Sequence, residues 1–324
     1  MKRLHCAAAW RRGAALTLLC GTLACAVAAT APAAAALQPL APGVYLHRGV
    51  LADWGPANQG DVANSGVVVG TRCAAVIDSG GSAAVARRLL TALRQQTSLP
   101  VCYVINTHAH PDHVLGNSVF AEAANPGRAP PLFVGHARLG AALAARGSAY
   151  LNALRRDFGA ADADAVRLVL PTVQVEGTLA IDLGGGRTLR LTAWPTAHTD
   201  ADLSVLDERS GTLFLGDLLF VEHTPVVDGR LGGWLNVLAQ LRAWRDVKTV
   251  VPGHGAPSTD WPGALDKQQR YLEHLQADVR RAIKEGLGLS QAVERIRPDS
   301  PSWRLLDIFH ERNVIAAYAE LEWE

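Results

Sequence analysis

Three histidines and one aspartate lie close together in the segment 107–113, whose sequence is THAHPDH. Neutral imidazole and carboxylate groups are side chains that bind zinc in proteins. His108 and His110 are two residues apart, so both side chains point the same way on an extended chain. Asp112 and His113 follow the bend that the intervening proline imposes, and they can face a second ion. The spacing therefore predicts two adjacent metal ions rather than one.

A site for two ions needs more ligands than this segment contains, and the chain offers three more at the ends of predicted strands. They are His198 after residues 189–193, Asp217 after residues 212–216 and His254 after residues 249–253. A single histidine at a strand end is more often a surface or hydrogen-bonded residue than a ligand. Three such positions in addition to segment 107–113 favour a metal site.

In order and spacing, these residues resemble the dinuclear metallohydrolases of the metallo-β-lactamase-fold superfamily over about residues 40–260. The resemblance implies a first zinc ion, a second zinc ion and one bridging ligand. The first ion would be held by His108, His110 and His198, and the second by Asp112, His113 and His254, with Asp217 bridging the two.

Within that superfamily, the stretches 104–117 and 216–228 look most like the quinoprotein relay system zinc metallohydrolases. That resemblance implies a functional link to a quinoprotein dehydrogenase. It supplies a context for the protein but no substrate.

The chain begins with features of an export signal. Basic residues at positions 2, 3, 11 and 12 precede an apolar run at 14–29, and small residues at 34–36 suit a cleavage site. Residues 1–36 are therefore predicted to be a secretory signal peptide, by either the general or the twin-arginine route. The mature protein is expected to be periplasmic or secreted, with no membrane segment.

Net charge and cysteine content narrow the function further. The formal net charge is +1, so no basic field attracts a nucleic acid, and a small-molecule substrate is expected instead.

Cys73 and Cys102 remain after signal removal, and each stands at the start of a strand-like run. These strands are neighbours in the resembled fold, which makes a disulfide a candidate. Two buried free thiols are the alternative.

Strand-like and helix-like segments alternate along the mature chain, which predicts an α/β protein. Apolar residues at helical spacing predict helices at 83–95 and about 137–157, and short strands from 179 to 215 predict an antiparallel meander. The alternation permits, and the resemblance implies, an αββα sandwich at 37–260, the metallo-β-lactamase fold. Residues 261–324 are predicted to form a helical C-terminal extension packed on the same domain.

Two zinc ions about 3.5–4 Å apart can share one water and lower its pKa towards neutrality. Hydrolysis is thus the expected reaction, with Asp112 steering the nucleophile and passing a proton to the leaving group. The resemblance associates a bridging aspartate such as Asp217 with ester-like, lactone and thioester bonds more than with β-lactams. Asp78 is a candidate to orient the imidazoles. His223 and Trp54 are candidates to line the pocket mouth.

Two alternatives remain open from the sequence. Similar folds oxidise persulfides with one Fe²⁺ ion, using only the equivalents of His108, His198 and Asp217. The chain would then be a mononuclear iron sulfur dioxygenase. It could also be a non-catalytic accessory protein of a periplasmic quinoprotein dehydrogenase system.

Overall fold

Two β-sheets stack face to face, and helices cover the outer face of each sheet. The computed structural model describes residues 37–123 and 129–324, so the predicted signal peptide at 1–36 lies outside the described residues. No helix in the described ranges is both long enough and apolar enough to cross a membrane.

Among the described residues, the first sheet has seven strands in the order β1-β2-β3-β4-β5-β6-β7. They are Gln38–Ala41, Val44–His47, Ser65–Val69, Ala74–Ile77, Val101–Ile105, Leu132–His136 and Val173–Val175. Strands β1 to β4 pair antiparallel, and β4 to β7 pair parallel.

The second sheet, within the same described ranges, has five strands in the order β12-β11-β10-β9-β8. In chain order from β8 they are Thr178–Asp182, Thr188–Ala193, Leu203–Asp207, Thr212–Phe220 and Thr249–His254. Strands β8 to β11 pair antiparallel, in agreement with the predicted meander, and β12 joins β11 in parallel.

The helices follow the strands in both halves of the chain. In the described residues, α1 to α9 are Ala83–Gln96, Pro111–Val114, Asn117–Glu122, Leu139–Phe158, Ala160–Asp164, Leu231–Leu241, Asp266–Lys284, Leu289–Arg295 and Leu306–Leu321. Short 3₁₀ turns lie at Pro56–Asn58 and Gly263–Leu265.

The two-residue period of the strands explains the layers. In β3, Val68 belongs to the apolar core between the sheets, whereas its neighbour Val67 packs in the core shared with α1. In β11, Phe214 faces the first sheet, whereas Leu213 and Leu215 belong to the outer core that contains residues of α6, α7 and α9. Each sheet is thus apolar on both faces and needs a layer on either side.

The predicted αββα sandwich with a helical C-terminal part is therefore confirmed. Tyr271 of α7 and Val314 of α9 are buried in the same core cluster as Trp234 of α6. The C-terminal helices consequently pack on the second sheet, where they are close enough to take part in the site described below.

Two predicted strand boundaries are wrong. Asp217 was expected just after a strand, but β11 continues to Phe220 and contains Asp217. Gly216 explains the error, because it adopts a left-handed conformation (φ +52°) that usually ends a strand. A Cβ at this position would lie 2.4 Å from the Thr107 hydroxyl, so only glycine fits. His254, likewise, is the last residue of β12 rather than the residue after it.

The two candidate disulfide cysteines are brought together by the parallel pairing of β4 with β5. Cys73 directly precedes β4 and Cys102 lies in β5, and the structure pairs them with a Cα–Cα distance of 5.8 Å. That distance is typical of disulfides.

Candidate metal centre

All seven residues that the sequence nominated as metal ligands lie in one cluster. Their donor atoms fall into two groups, and within each group the atoms lie within 4.8 Å of one another. The first ligand group is His108, His110, His198 and Asp217, and the second ligand group is Asp112, His113 and His254.

Five chain segments bring these ligands together. His108 and His110 lie in the loop that follows β5, and Asp112 and His113 lie in the short helix α2 that begins at Pro111. The remaining ligands come from the loop after β9, from β11 and from the end of β12: His198, Asp217 and His254. Buried strands, or the loops and short helix that directly follow them, hold these side chains on a rigid base.

The outer ring nitrogen of each histidine in the cluster meets a hydrogen-bond partner that lies away from the other ligands. The pairs are His108 Nδ1 with Thr107 Oγ1 (3.0 Å), His110 Nε2 with Asp228 Oδ2 (3.1 Å), His113 Nδ1 with Asp78 Oδ2 (2.8 Å), His198 Nδ1 with the Val226 carbonyl (2.7 Å) and His254 Nδ1 with the Val62 carbonyl (2.9 Å). Carbonyls and carboxylates only accept, so their histidine partners donate. The inner nitrogens are then left with lone pairs aimed at the cluster.

The inner atoms lack partners outside the cluster. His108 Nε2, His113 Nε2 and Asp217 Oδ1 are buried and have no hydrogen-bond partner outside the cluster among the described residues, and within the cluster His113 Nε2 lies 3.2 Å from Asp217 Oδ1. His198 Nε2 and His110 Nδ1 lie 3.1 Å apart, so two imidazole lone pairs face each other when both rings are neutral. Buried polar atoms without partners are rare in native proteins. Divalent cations would satisfy all of these atoms, and the nitrogen and oxygen donor set suits zinc or iron.

The two groups differ in their electrostatics. Burial lowers the pKa of His198 to about 4, although the Asp217 carboxylate opposes this shift. Burial also acts to lower the pKa of His254, but the carboxylates of Asp217 and Asp112 outweigh it and raise that pKa to about 9. Burial acts to raise the pKa of Asp217, whereas His254 and His113 hold it well below its usual value.

Asp78, the predicted orienting residue, is buried at the turn after β4. Its Oδ1 accepts the Thr107 backbone N–H at 2.8 Å, and its Oδ2 accepts the Thr107 hydroxyl and His113 Nδ1, each at 2.8 Å. Since the Thr107 hydroxyl donates to Asp78, it accepts from His108. One carboxylate therefore orients His113 directly and His108 through Thr107.

Sequence reasoning missed the partners of His110 and His198. Asp228 accepts from His110 and also pairs with Arg146 of α4, and the neighbouring Val226 carbonyl accepts from His198. A histidine that binds a metal needs a partner for its second ring nitrogen, so the ligand histidines predict further carboxylates or carbonyls nearby. Asp228 stands at the end of stretch 216–228, but nothing local relates it to His110.

A cavity of about 270 Å³ opens beside the cluster. Asp112, Asp217 and His254 line its base, and most of its walls are apolar side chains, among them Trp54, Phe220, Val226 and Phe309. Trp54 and His223, the two pocket candidates from the sequence, both line it. Arg312 of α9 lies at the same cavity, and nothing in the sequence marked it.

A family model described as the metallo-beta-lactamase superfamily matches residues 58–254, which is more than half of the chain and includes every cluster residue. No curated protein matches the sequence significantly.

Solved structures with the same fold share little sequence with this chain. The inverting sec-alkylsulfatase Pisa1 from Pseudomonas sp. aligns with a TM-score of 0.68 at 18% identity over 89% of this chain, which spans only 50% of that enzyme. A beta-lactamase domain protein from Burkholderia ambifaria aligns with a TM-score of 0.63 at 21% identity, over 91% of this chain and 89% of the other. A metallo-beta-lactamase from Pontibacter korlensis aligns with a TM-score of 0.57 at 19% identity, over 73% and 98% respectively.

Proposed function

Because the chain belongs to the metallo-β-lactamase superfamily, we propose that it is a hydrolase whose cluster holds two zinc ions. The single observation that carries this proposal is the set of buried inner nitrogen and oxygen atoms that have no partner outside the cluster and converge beside an open cavity. The first ligand group would hold one ion and the second ligand group the other. Asp217 has oxygen atoms near both groups, since Oδ2 lies 3.4 Å from His198 Nε2 and Oδ1 lies 3.4 Å from His254 Nε2.

Zinc ions bound in the cluster would supply a water-derived nucleophile at neutral pH and polarise the bond to be cleaved. The residues of the chain then have separate tasks. The outer hydrogen bonds keep each imidazole in one tautomer and orientation. The apolar walls exclude bulk water from the reacting bond, which strengthens electrostatic interactions there.

Asp112 is the residue that we assign to proton transfer. Its Oδ2 lies 3.3 Å from His254 Nε2 and 3.5 Å from His113 Nε2, while the side chain also lines the cavity. A carboxylate in that place can accept a proton from the attacking water and deliver it to the leaving group. In the metal-free protein, burial acts to raise the pKa of Asp112, but His113 and His254 hold it far below its usual value.

The substrate that we propose is a small molecule with an ester-like, lactone or thioester bond, and a β-lactam is a weaker candidate. The size and apolar walls of the cavity support a compact substrate. Sulfate esters belong in the same screen because one structural neighbour is a sec-alkylsulfatase. We further propose that the protein is exported and works beside a periplasmic quinoprotein dehydrogenase, as the stretches 104–117 and 216–228 suggest.

Metal content tests the proposal most directly. Mature protein purified without chelator is expected to contain close to two zinc ions per chain by elemental analysis, and to hydrolyse members of an ester, lactone and thioester panel. One iron ion per chain would contradict this proposal and favour oxygen-dependent sulfur chemistry. An intact zinc site without turnover on any panel member, together with co-purification of a dehydrogenase, would favour the accessory role.

A further inference from the structure

One wall of the cavity is a row of side chains in successive contact, and it begins at the metal cluster. The ring of His254, a ligand in the second group, lies 4.8 Å from the ring of His223, and His223 lies 5.2 Å from the ring of Phe309. The guanidinium carbon of Arg312 lies 5.7 Å from the centre of the Phe309 ring. Because His254, His223, Phe309 and Arg312 all line the same cavity, this wall connects the reacting end of the pocket with a positive charge.

Helix α9 supplies the far end of the wall. Phe309 and Arg312 are three residues apart, so they share one face of the helix. Phe309 is half-buried and Arg312 is exposed, which places an apolar surface inside the cavity and a cation at its opening. The remainder of α9 is anchored by buried residues such as Asn313 and Val314, so this arrangement rests on a fixed helix.

Arg312 is available to a ligand. No carboxylate in residues 37–123 or 129–324 lies within ion-pair distance of its guanidinium group. Asp53, an acidic residue that also lines the cavity, accepts the Trp54 backbone N–H at 2.9 Å and makes no ion pair with Arg312. A planar guanidinium binds a carboxylate or a sulfate through two parallel hydrogen bonds.

We propose that the pocket binds a small amphiphilic anion, whose apolar body lies along Phe309 and whose carboxylate or sulfate group pairs with Arg312. The other end of this molecule, which would carry the bond to be cleaved, then points towards Asp112 and His254. The cleavage part of this inference rests on the proposed hydrolase function, whereas the binding part does not.

Binding of hydrolysis-resistant amides separates the two parts. The ligands are anilides of straight-chain acids of four, six and eight carbons, each made with a terminal methyl, carboxylate or ammonium group. Their affinities are measured by calorimetry on zinc-loaded full-length mature protein. At the chain length that fits best, the carboxylate ligand is expected to bind about tenfold more tightly than the methyl ligand. The ammonium ligand is expected to gain nothing.

Three variants locate the source of this preference. Arg312→Gln should abolish the preference for carboxylate and leave the affinity for the methyl ligand within about twofold, because only the charged contact is lost. Phe309→Ala should weaken both ligands to a similar degree, because both lose the same apolar contact. Arg87→Gln, which changes an exposed arginine on α1, is the matched control and should leave both affinities unchanged.

Equal affinity for the carboxylate and methyl ligands in the unaltered protein would overturn the proposal, as would a preference that persists in Arg312→Gln. A parallel assay with the corresponding 4-nitrophenyl esters tests the hydrolase function by itself. Selective amide binding without cleavage of these esters, or of any member of the ester, lactone, thioester and sulfate-ester panel, would reject the hydrolase and retain the anion pocket. Ester cleavage without selective binding would retain the hydrolase and reject the anion pocket.

Discussion

The two ligand groups of the metal cluster are supported by different parts of the molecule. The second ligand group depends on segments that adjoin the first sheet, because His113 donates to Asp78 directly after β4 and His254 donates to the Val62 carbonyl in the loop between β2 and β3. In the first ligand group, His110 and His198 depend on segment 226–228, which lies outside both sheets. His108 is intermediate, since Thr107 connects it to Asp78.

Segment 226–228 is in turn held by the C-terminal helix α9. Asn313 is fully buried, its Oδ1 accepts the Val227 backbone N–H at 2.9 Å, and its Nδ2 donates to the Pro225 carbonyl at 2.6 Å. Nδ2 also donates to the Tyr271 hydroxyl at 2.9 Å, which ties the same point to α7. The comparison teaches that the C-terminal extension is part of the support for the first ligand group, whereas the second is supported by a loop and a turn that adjoin strands of the first sheet.

The largest effect is expected where the two groups meet. Asp217→Ala removes the carboxylate near both groups, so the second metal and most activity should be lost, with turnover reduced more than about 100-fold. The fold should remain, because the sheet cores are apolar and lie elsewhere. Elemental analysis and turnover measure the effect, and Asp164→Ala, at an exposed carboxylate, is the control. Full activity with undiminished metal content would remove the bridging role.

A change at Asp78 should affect the second ligand group, because Asp78 accepts directly from His113. Asp78→Asn keeps the size of the side chain, but the amide that replaces Oδ2 cannot accept from both His113 and the Thr107 hydroxyl. Metal affinity of the second ligand group should fall about 10–100-fold, and unfolding free energy by about 1–3 kcal/mol for a donor left unsatisfied. Zinc titration and chemical denaturation measure these two quantities. Loss of affinity in the first ligand group alone would contradict the comparison.

The pH dependence of zinc binding should distinguish the two ligand groups. The carboxylates raise the pKa of His254 to about 9 against burial, so this residue must lose a proton before it can bind a metal at neutral pH. The pKa of His198 is lowered to about 4 by burial, so this residue is already neutral. Between pH 6 and 8, zinc affinity of the second ligand group should rise about tenfold per pH unit for each proton released. Zinc affinity of the first ligand group should rise less steeply because His198 is already neutral, and equal slopes for both ions would refute this difference.

The smallest effect is expected at Asn313, the residue through which α9 holds segment 226–228. Asn313→Ala should loosen segment 226–228 and lower zinc affinity of the first ligand group by about tenfold, with little change at the second. Asp228→Asn should act on the same ion, because it weakens the acceptor of His110. Asn236→Ala, at an exposed asparagine of α6, is the matched control for the asparagine change. Equal losses at both ions would mean that α9 supports the whole cluster.

Much of the fold and of the cluster was predictable from the sequence. Segment 107–113 places four ligands within seven residues, so local spacing alone indicates a metal site. Periodicity predicted α1 and most strands, because one buried face leaves a clear pattern. Strand β11 was cut short at Gly216 because a left-handed glycine usually marks a turn. Gly216 lies close to Thr107, which follows β5 of the other sheet. A contact between residues so far apart in the sequence cannot be predicted from local spacing.

The sequence by itself determined the donor chemistry, since imidazole and carboxylate groups at set spacings can bind few partners other than metals. Whether the cluster holds zinc stays a prediction. Only the tertiary structure decided which carbonyls and carboxylates orient the imidazoles, and that α9 brings Phe309 and Arg312 to the cavity. The physical reason is distance along the chain: Asn313 and Val227 are 86 positions apart, and their contact depends on how whole helices and sheets pack.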